Sequence, residues 1–468
     1  MLLLVLLSTF FVSFLDKPEK SAPALSPRAI EQRQKWNIPT DQMDYPVCRM
    51  YVDSLRHAGA KIYHTSRWFN GATVEMTDEL AKKVEKWRFV VDIEITRDST
   101  TDRAYARKRE VPTTNDQLPT TYSTDAQLRL YNLLPLHEAG FEGQGILMTI
   151  CDGGFQNADT LSCFRQKELE LGHFDFTDDE DDFYGWTGNH GTSCLSTISG
   201  IREDYRGAAC KAQYYLMRSE EYETESPKEM DNLVAALEKA DSLGTNIFSV
   251  SLGYAKFDNS EWTLPKSALD GQSTRASRAA TIAARKGMLV CLAAGNDGDK
   301  AWHTICVPAD ADSVLTVGAV DINGQIGAFS SFGPSADGRI KPEVCSVGVK
   351  TTLINSYGDI IRSNGTSFAT PLLAGLAASL WSALPQENAM QIRERIIRSA
   401  DRYENPDQDQ YGYGIPNAWL AYTMQTGEGL HVENDGNETS QPRKIIDGGQ
   451  IYILRHGHVY NLSGQLVR

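Results

Sequence analysis

The chain has few cysteines, and none of them forms a metal-binding pattern. Its 468 residues include eight cysteines, and no two are spaced as a Cys-x-x-Cys pair. This spacing excludes a zinc ribbon and a dithiol redox motif, and eight cysteines are too few for a disulfide scaffold. Several lie in apolar strings such as Val290-Cys291-Leu292, which is typical of buried thiols. The sequence does not decide whether all eight thiols are free or whether one or two disulfides form.

The chain also lacks an excess of positive charge. It has 46 Lys and Arg against 61 Asp and Glu, which gives a net charge of -15. Proteins that bind phosphate backbones need clustered Lys and Arg, so we expect no nucleic-acid partner. Hydrophobic residues make up 41% of the chain, enough for a large core. At about 150 residues per domain, the length predicts about three structural units.

Long hydrophobic runs are almost absent, and the exception is the N-terminus. Residues 1–15 are nearly all apolar but too few to span a bilayer. They resemble the hydrophobic region of a signal peptide, although the usual Lys or Arg and a small-x-small cleavage site are missing. We therefore predict a signal peptide at 1–15, no transmembrane segment in the mature chain, and a secreted, periplasmic or cell-surface protein. The alternative is that residues 10–15 form the first strand of the folded chain.

Residues 16–96 have the pattern of a small α+β domain. A helical pattern ends at Gly59, residues 61–69 and 72–76 have strand patterns, and Thr77 can cap a helix that runs to Val84. Residues 89–95 give another strand. The following segment, 97–120, is polar and without periodicity, which is typical of an exposed linker open to proteolysis.

Residues 121–424 alternate between short apolar strands and helical stretches. This alternation predicts an α/β fold with a mostly parallel sheet and helices on both faces. The predicted strands cover residues 145–151, 213–217, 246–251, 288–293 and 313–320. Residues 425–468 begin with a polar spacer and end in strand-like patterns, so we expect a short β-rich tail.

Two charged residues of the α/β region lie at the ends of its elements. Asp152 ends an apolar strand and precedes two glycines, and functional groups of parallel sheets gather at such carboxyl ends. His190 begins a helix of small and apolar residues. No second His or Cys is placed at zinc-ligand spacing from it. Each residue alone is also compatible with a structural role.

An amide and a hydroxyl complete the pattern. Asn296 follows another apolar strand, and its amide can donate to a developing oxyanion. Ser367 lies in Asn-Gly-Thr-Ser-Phe-Ala-Thr-Pro at residues 364–371, where a turn places the serine in the first turn of an apolar helix. A helix cap and a turn asparagine are the ordinary alternatives. The order in the chain, however, is Asp, His, Asn, Ser. Asp152 and His190 are 38 residues apart, and His190 and Ser367 are 177 residues apart.

The sequences around these four residues resemble the signature blocks of subtilisin-like serine peptidases, the subtilases. The resemblance covers about residues 121–424, and the Gly-Thr-Ser-x-Ala-x-Pro block is its most specific part. It implies a serine endopeptidase that acts through an acyl-enzyme intermediate. Ser367 would be the nucleophile and His190 the general base, with Asp152 orienting the imidazole. Asn296 and the backbone N–H of Ser367 would hold the oxyanion.

The resemblance also implies how substrate binds. Ser251, Leu252 and Gly253 match the strand that pairs with an extended protein or peptide substrate. Ala293, Ala294 and Gly295 would line the primary specificity pocket, and their small size suggests room for a large apolar side chain.

The first domain, residues 16–96, resembles the inhibitor-like propeptide of subtilases. It implies that the chain's own propeptide acts as an intramolecular inhibitor, with its last strand running into the active site. Cleavage within 97–120 would release the enzyme. The alternative is a permanent domain that does not inhibit.

Other functions remain open at this stage. Acidic residues at 220–225, together with Glu229, could border the cleft and select basic residues, as in a peptidase that processes a few partner proteins. A peptide-binding module on the same scaffold is the non-enzymatic alternative. Cys194 lies one helical turn after His190 and is expected to pack as a small buried group.

We expect no cofactor and no metal site. Calcium is the one exception that the sequence allows, through Asp175 and the acidic run at 178–182. The ordinary interpretation of that run is a solvated acidic loop.

Overall fold

The computed structural model describes most of the chain and divides it into two compact units at Thr423. The described residues are 7–17, 21–98, 124–164, 167–177, 182–185, 188–221, 224–424, 443–447, 450–455 and 458–461. The linker predicted at 97–120 therefore lies outside the described residues beyond Asp98.

Residues 7–98 form the N-terminal domain. Its elements are β1 (Ser8–Phe14), α1 (Pro27–Lys35), α2 (Arg49–His57), β2 (Lys61–Ser66), β3 (Gly71–Met76), α3 (Asp78–Val84) and β4 (Val90–Arg97). The four strands form an antiparallel sheet in the order β2-β3-β1-β4. The Thr77 side chain accepts the Leu80 N–H and caps α3, as the sequence predicts. Leu55 of α2 and Val12 of β1 are buried in the core of this domain.

The first strand corrects the boundary predicted at residue 15. Strand β1 lies between β3 and β4 and pairs with both over most of its length. Its side chains Phe10, Val12 and Phe14 are at most 7% exposed. Residues 8–14 are thus part of the folded N-terminal domain, as in the alternative interpretation of this segment. A buried central strand and a signal-peptide core are both short apolar runs, so composition does not separate them.

Between β1 and α2 the chain forms a segment that the sequence patterns did not predict. We call residues 21–45 the arm. It contains α1, whose N-cap Ser26 accepts the Ala29 N–H and whose first residue is Pro27. A 3-10 turn at Gln42–Asp44 follows. The Ser-Pro pair at the start of α1 is the signal from which this helix could have been predicted.

Residues 124–423 form the central domain. Its strands are β5 (Leu147–Asp152), β6 (Glu170–Asp175), β7 (Ile201–Arg202), β8 (Tyr205–Arg206), β9 (Gln213–Arg218), β10 (Ile247–Val250), β11 (Leu289–Ala293), β12 (Leu315–Val320), β13 (Val344–Val347), β14 (Thr351–Ile354) and β15 (Ile360–Ser363). Its helices are α4 (Asp125–Leu130), α5 (Leu134–Glu138), α6 (His190–Ser199), α7 (Lys228–Leu243), α8 (Arg275–Arg285), α9 (Thr366–Ala383), α10 (Ala389–Arg398) and α11 (Ala418–Thr423). Short 3-10 turns lie at Ser162–Phe164, Lys167–Leu169, Ser260–Trp262 and Lys266–Ala268.

A seven-stranded sheet forms the centre of this domain and confirms the predicted α/β fold. Its strand order is β13-β12-β11-β10-β5-β9-β6, and all neighbours run parallel. Successive side chains of these strands point alternately to the two faces of the sheet. One face packs in a core with α6 and α9, and the other packs in a core with α7 and α8. Because the strands are parallel, the residues that follow β5, β10 and β11 meet at one edge of the sheet.

Two further observations concern the whole chain. The eight cysteines, all of which are described, form no disulfide bond. Residues 424–468 form the second unit, whose described strands β16 (Arg443–Asp447), β17 (Gln450–Arg455) and β18 (His458–Asn461) make an antiparallel sheet in that order.

Candidate active site

A carboxylate and an imidazole meet at the carboxyl edge of the parallel sheet. Asp152 is the last residue of β5 and is fully buried, and His190 is the first residue of α6. Asp152 Oδ1 lies 2.7 Å from His190 Nδ1 and also accepts the Gly153 N–H. A carboxylate can only accept, so this contact fixes the proton on Nδ1 and leaves Nε2 as the basic nitrogen.

Gly191 allows α6 to approach the Asp152 loop this closely. A Cβ on Gly191 would lie 2.6 Å from Gly154 O and 2.9 Å from Asp152 Cβ, both well inside contact distance. The Gly191 N–H donates to that same Gly154 carbonyl at 2.9 Å. The glycine after the histidine is therefore required for the contact between Asp152 and His190.

Ser367 lies at the second position of α9, the helix that packs against β10, β11, β12 and β13 of the sheet. Its Oγ donates to the Ser251 carbonyl at 3.3 Å, while the Ser251 Oγ donates to the Ser367 carbonyl at 2.7 Å. Pro371 explains why that carbonyl is available, because proline lacks the N–H that residue i+4 would otherwise donate within the helix. The pair of bonds fixes the start of α9 to the end of β10.

Asn296 is oriented by the residue before Ser367. Its Oδ1 accepts the Thr366 backbone N–H at 2.9 Å and the Thr366 hydroxyl at 3.1 Å. The Thr366 Oγ1 also accepts the Gly295 N–H at 3.2 Å. With Oδ1 held on Thr366, the Nδ2 amide is the group that faces away from this contact. The sequence motif contains Thr366, but its role in orienting Asn296 was not predicted.

These residues line one cleft, with a volume of about 540 Å³. The cleft is lined by the predicted residues His190, Ser367, Asn296, Ser251, Leu252, Gly253, Ala293 and Gly295. The prediction that Ala294 lines the pocket is wrong. Successive side chains of this extended segment face opposite sides, so Ala294 points into the core beside α7, where it is fully buried. Its carbonyl accepts the Cys306 N–H at 3.2 Å.

Cys306 is a cleft residue that the sequence patterns did not predict. Its Sγ would lie 2.1 Å from a Cβ on Gly253 and 3.2 Å from a Cβ on Gly295, so the thiol stands between the two walls. Trp302 and Thr304 line the cleft beside it. All three belong to the loop between β11 and β12, which has no motif of its own. The expected room for a large apolar side chain is thus partly filled by this thiol.

Cys194 lies beneath the imidazole, as its spacing predicts. Its Sγ is 3.7 Å from His190 Nδ1 and donates to the Ser367 carbonyl at 3.3 Å. Burial, together with the nearby Asp152 charge, raises the pKa of this thiol well above its usual value of 9.0. Cys194 therefore stays protonated and serves as a packing and donor group rather than as a nucleophile.

Glu220 and Glu229, two acidic residues of this region, accept hydrogen bonds within the protein. Glu229 accepts the Glu221 N–H at 2.9 Å, and Glu220 accepts the Tyr254 hydroxyl at 2.6 Å. Among the described acidic residues of this stretch, Glu225 alone lines the cleft, which is also lined by the oppositely charged Lys256. The acidic side chains thus contribute more to the structure of the loop than the sequence suggested.

Among the described residues, two groups bring three potential ligand atoms within 4.8 Å of one another. One is Asp152, His190 and Cys194, and the other is Glu220, Glu225 and Glu229. The residues considered for calcium belong to neither group. Asp175 pairs with Arg218 at 3.1 Å, and residues 178–181 lie outside the described part of the chain.

The chain matches family models in both domains. Residues 143–414 match the subtilase family (Peptidase S8), and residues 9–114 match the Peptidase S8 propeptide domain of Bacteroidota. The first match covers more than half of the chain, so the chain belongs to the subtilase family. It is a serine peptidase, a hydrolase that acts on peptide bonds, and its N-terminal domain is a propeptide domain.

Individual relatives agree with this assignment. Serine protease AprX of Bacillus subtilis is 33% identical over 162 residues, which cover 30% of this chain and 36% of AprX. Subtilisin DY of Bacillus licheniformis is 29% identical over 287 residues, 60% of this chain and 92% of that protein. The crystal structure of MycP1 from Mycobacterium smegmatis shares the fold, with a TM-score of 0.54, 20% identity, and coverage of 69% and 91% of the two chains.

Proposed function

We propose that this chain is an endopeptidase that cleaves proteins through a triad of Asp152, His190 and Ser367. The observation that carries the proposal is the 2.7 Å contact between Asp152 Oδ1 and His190 Nδ1 in a cleft also lined by Ser367 and Asn296. A buried carboxylate in this position orients the imidazole and stabilises its protonated form during the reaction.

The first step is attack by Ser367 Oγ on the scissile carbonyl. In the resting structure this hydroxyl donates to Ser251 O, so a rotation about χ1 has to bring it to His190 Nε2. His190 accepts the proton as the C–O bond forms, and then donates it to the leaving amine as the C–N bond breaks. Water, deprotonated by the same nitrogen, hydrolyses the resulting acyl-enzyme and regenerates Ser367.

Negative charge on the carbonyl oxygen would be stabilised by two donors. The Ser367 N–H lies in the first turn of α9, where helix amides have no acceptor within the helix. The second donor is Asn296 Nδ2, which is directed away from Thr366 by the bonds to Oδ1. Both donors are fixed before substrate binds, so they need little reorganisation during the reaction.

Replacing Asn296 with alanine is expected to lower kcat by about 10²–10³-fold, the usual range for loss of one oxyanion donor, with KM nearly unchanged. Steady-state kinetics on a peptide substrate measure both constants. Asn323→Ala is the matched control, since Asn323 lies in an exposed turn and, within the described part of the chain, bonds to Asp321 alone. An equal effect of both replacements, or a rise in KM alone, would argue against an oxyanion role.

Substrate is expected to bind as an extended strand along Ser251, Leu252 and Gly253. Main-chain hydrogen bonds would supply affinity, and the side chain before the scissile bond (P1) would enter the space between Gly253 and Gly295. Cys306 stands in that space and limits its depth. The P1 residue should therefore be of moderate size.

Enlarging Cys306 tests this assignment. We expect Cys306→Met to lower kcat/KM for substrates with Phe at P1 by more than about tenfold, because a methylene in a closed pocket typically changes discrimination by 10–200-fold. Substrates with Ala at P1 should change by less than about threefold and serve as the internal control. Equal losses for Phe and Ala would show that Cys306 does not border the P1 side chain.

The propeptide domain suggests that the enzyme is made as a zymogen and cuts its own linker between residues 97 and 120. Export out of the cytoplasm accords with this, because a propeptide delays activity until the enzyme has left. None of the described helices is long and apolar enough to cross a membrane.

A narrow processing peptidase is the second candidate, favoured by the presence of Glu225 in the cleft. Incubation of the purified chain with a peptide library, together with mass spectrometry of the chain itself, tests both candidates. Broad cleavage with loss of about the first 100–120 residues supports the general endopeptidase. Cleavage confined to sites beside Lys or Arg would support the processing peptidase. An intact and inert chain would contradict both.

A further inference from the structure

The backbone carbonyl of Ser367 receives no hydrogen bond from its own helix. In a regular α-helix it would accept the N–H of the residue four positions later. That residue is Pro371, which has no N–H to donate. Ser367 is only 8% exposed, and a buried carbonyl without a donor is costly. The carbonyl therefore needs donors from outside α9.

Two side chains from other elements supply these donors. Ser251, which directly follows β10, donates its Oγ proton at 2.7 Å, and Cys194 of α6 donates its thiol proton at 3.3 Å. The two side chains are buried, with 7% of Ser251 and none of Cys194 exposed. Burial keeps the pKa of the Cys194 thiol well above its usual value, so its proton is present to be donated. The carbonyl thus accepts from a strand end and from a neighbouring helix.

These two bonds connect the turn that carries Ser367 to the rest of the site. Cys194 lies one turn after His190 on α6, and α6 packs against α9. On the other side of Ser367, the Thr366 N–H donates to Asn296 Oδ1 at 2.9 Å. The Ser367 N–H lies between these two attachments. The orientation of the Ser367 backbone is therefore set from both sides by residues that are far apart in the chain.

We propose that Ser251 and Cys194 are positioning residues for peptide hydrolysis, which act through the Ser367 carbonyl. They hold the first turn of α9 so that the Ser367 hydroxyl and N–H keep the orientation needed for attack and for oxyanion binding. This inference rests on the proposed function, in which Ser367 is the nucleophile. It gives the Ser251 side chain a role of its own, separate from the main-chain pairing with substrate expected at residues 251–253.

Removing the stronger donor should slow the reaction without weakening substrate binding. Ser251→Ala is expected to lower kcat by about 10²-fold, because a shift of about 1 Å in a reacting group has an effect of that size. KM should change by less than about threefold, since the backbone of residues 251–253 stays in place. Steady-state kinetics on one fluorogenic peptide give both constants.

Ser249→Ala is the matched control. Ser249 lies on β10, two residues before Ser251, and is only 1% exposed. Within the described part of the chain its hydroxyl bonds to no other group. The same replacement on the same strand should therefore leave kcat within about threefold of the parent. Melting temperatures show whether both variants are folded.

A second replacement should restore part of the lost activity. Pro371→Ala supplies an N–H four residues after Ser367, which can donate to the same carbonyl. In the Ser251→Ala chain it should raise kcat by at least about fivefold, with Pro371→Ala alone as the reference. A purely structural loss at Ser251 would not be recovered by a donor placed on a different element.

Cys194 provides an independent test of the same carbonyl. Cys194→Ala should lower kcat by about tenfold, the size expected for one modest hydrogen bond. Cys194→Ser keeps a donor and should lower kcat by less than about threefold. These variants remain informative if Ser251→Ala does not fold.

Carbonyl NMR tests the anchor without relying on peptidase activity. Labelling with carbonyl-13C serine and 15N phenylalanine gives one signal for each Ser-Phe pair, at residues 13–14, 331–332 and 367–368. Chains with and without Ser251→Ala are compared, both carrying His190→Ala to prevent self-cleavage by the proposed mechanism. Loss of a hydrogen bond should move the Ser367 carbonyl signal upfield, while the other two signals stay in place.

Three results would overturn the proposal. One is a Ser251→Ala variant whose kcat matches that of Ser249→Ala. Another is the absence of any recovery on adding Pro371→Ala. The third is an unchanged Ser367 carbonyl signal in the Ser251→Ala chain. A parent chain that cleaves no peptide would instead refute the proposed function, and the carbonyl signal would still decide whether Ser251 holds Ser367.

Discussion

Replacing Ser367 with alanine is expected to lower kcat for peptide hydrolysis by about 10⁶-fold. The replacement removes the only atom that forms a bond to the substrate carbonyl in the proposed mechanism. The cleft walls and the oxyanion donors stay in place, so weak residual catalysis and near-normal substrate binding are expected. Active-site titration and steady-state kinetics on one fluorogenic peptide measure the loss and separate kcat from KM.

Ser382→Ala is the matched control for this replacement. Ser382 lies near the end of the same helix, and its hydroxyl bonds to Ser379 O, far from the cleft. Its variant should retain parental kinetics. A Ser367→Ala chain that keeps more than about 1% of parental kcat would exclude Ser367 as the nucleophile and direct attention to another hydroxyl or thiol of the cleft.

Asp152→Asn is expected to lower kcat by about 10⁴-fold while the fold stays intact. The asparagine amide would donate to His190 Nδ1, which forces the ring proton onto Nε2. That nitrogen could then no longer accept the proton of Ser367. The change in tautomer, rather than a change in position, causes the loss, so KM and the melting temperature should remain close to those of the parent.

The experiment pairs Asp152→Asn with Asp321→Asn. Asp321 is a half-buried turn residue outside the cleft, and its Oδ1 accepts backbone N–H groups, a role that asparagine can also fill. Nitrogen-15 NMR of the imidazole reports the tautomer directly. Asp152→Asn with the proton still on Nδ1, or with parental kcat, would refute the orienting role of the carboxylate.

The residues of the proposed triad and oxyanion site could be predicted because the proposed chemistry requires particular residue types at particular places. Asp152 ends a buried strand and Asn296 follows one, while His190 and Ser367 lie in the first turns of helices. The fold that the apolar pattern predicts therefore also places them at one edge. Their order in the chain then distinguished this arrangement from other triads. The parallel sheet was predictable for the same reason, since strands buried on both faces are continuous apolar runs.

Other features depend on contacts that no local pattern encodes. Cys306 enters the cleft because glycine at 253 leaves space for its thiol, which is a packing relation between separate loops. No local pattern predicts the contacts of the arm, because Arg33 bonds a partner, Asp241, that is 208 residues away in the chain. The resemblance predicts Ala293, Ala294 and Gly295 together in the pocket, but adjacent residues of an extended segment face opposite sides, so Ala294 does not line it. Strand β1 was ambiguous because an apolar run has the same composition in a core as in a signal peptide.

The central claim is that Ser367, activated by His190, is the nucleophile. A fluorophosphonate probe tests it directly, because an activated serine attacks phosphorus and expels fluoride to leave a stable adduct. The purified chain is treated with the probe, its peptidase activity is followed in the same sample, and the adduct is located by peptide mapping. Our account predicts one adduct on Ser367, formed in step with loss of activity and absent from the His190→Ala variant. An adduct on another residue, or full inactivation without modification of Ser367, would contradict it.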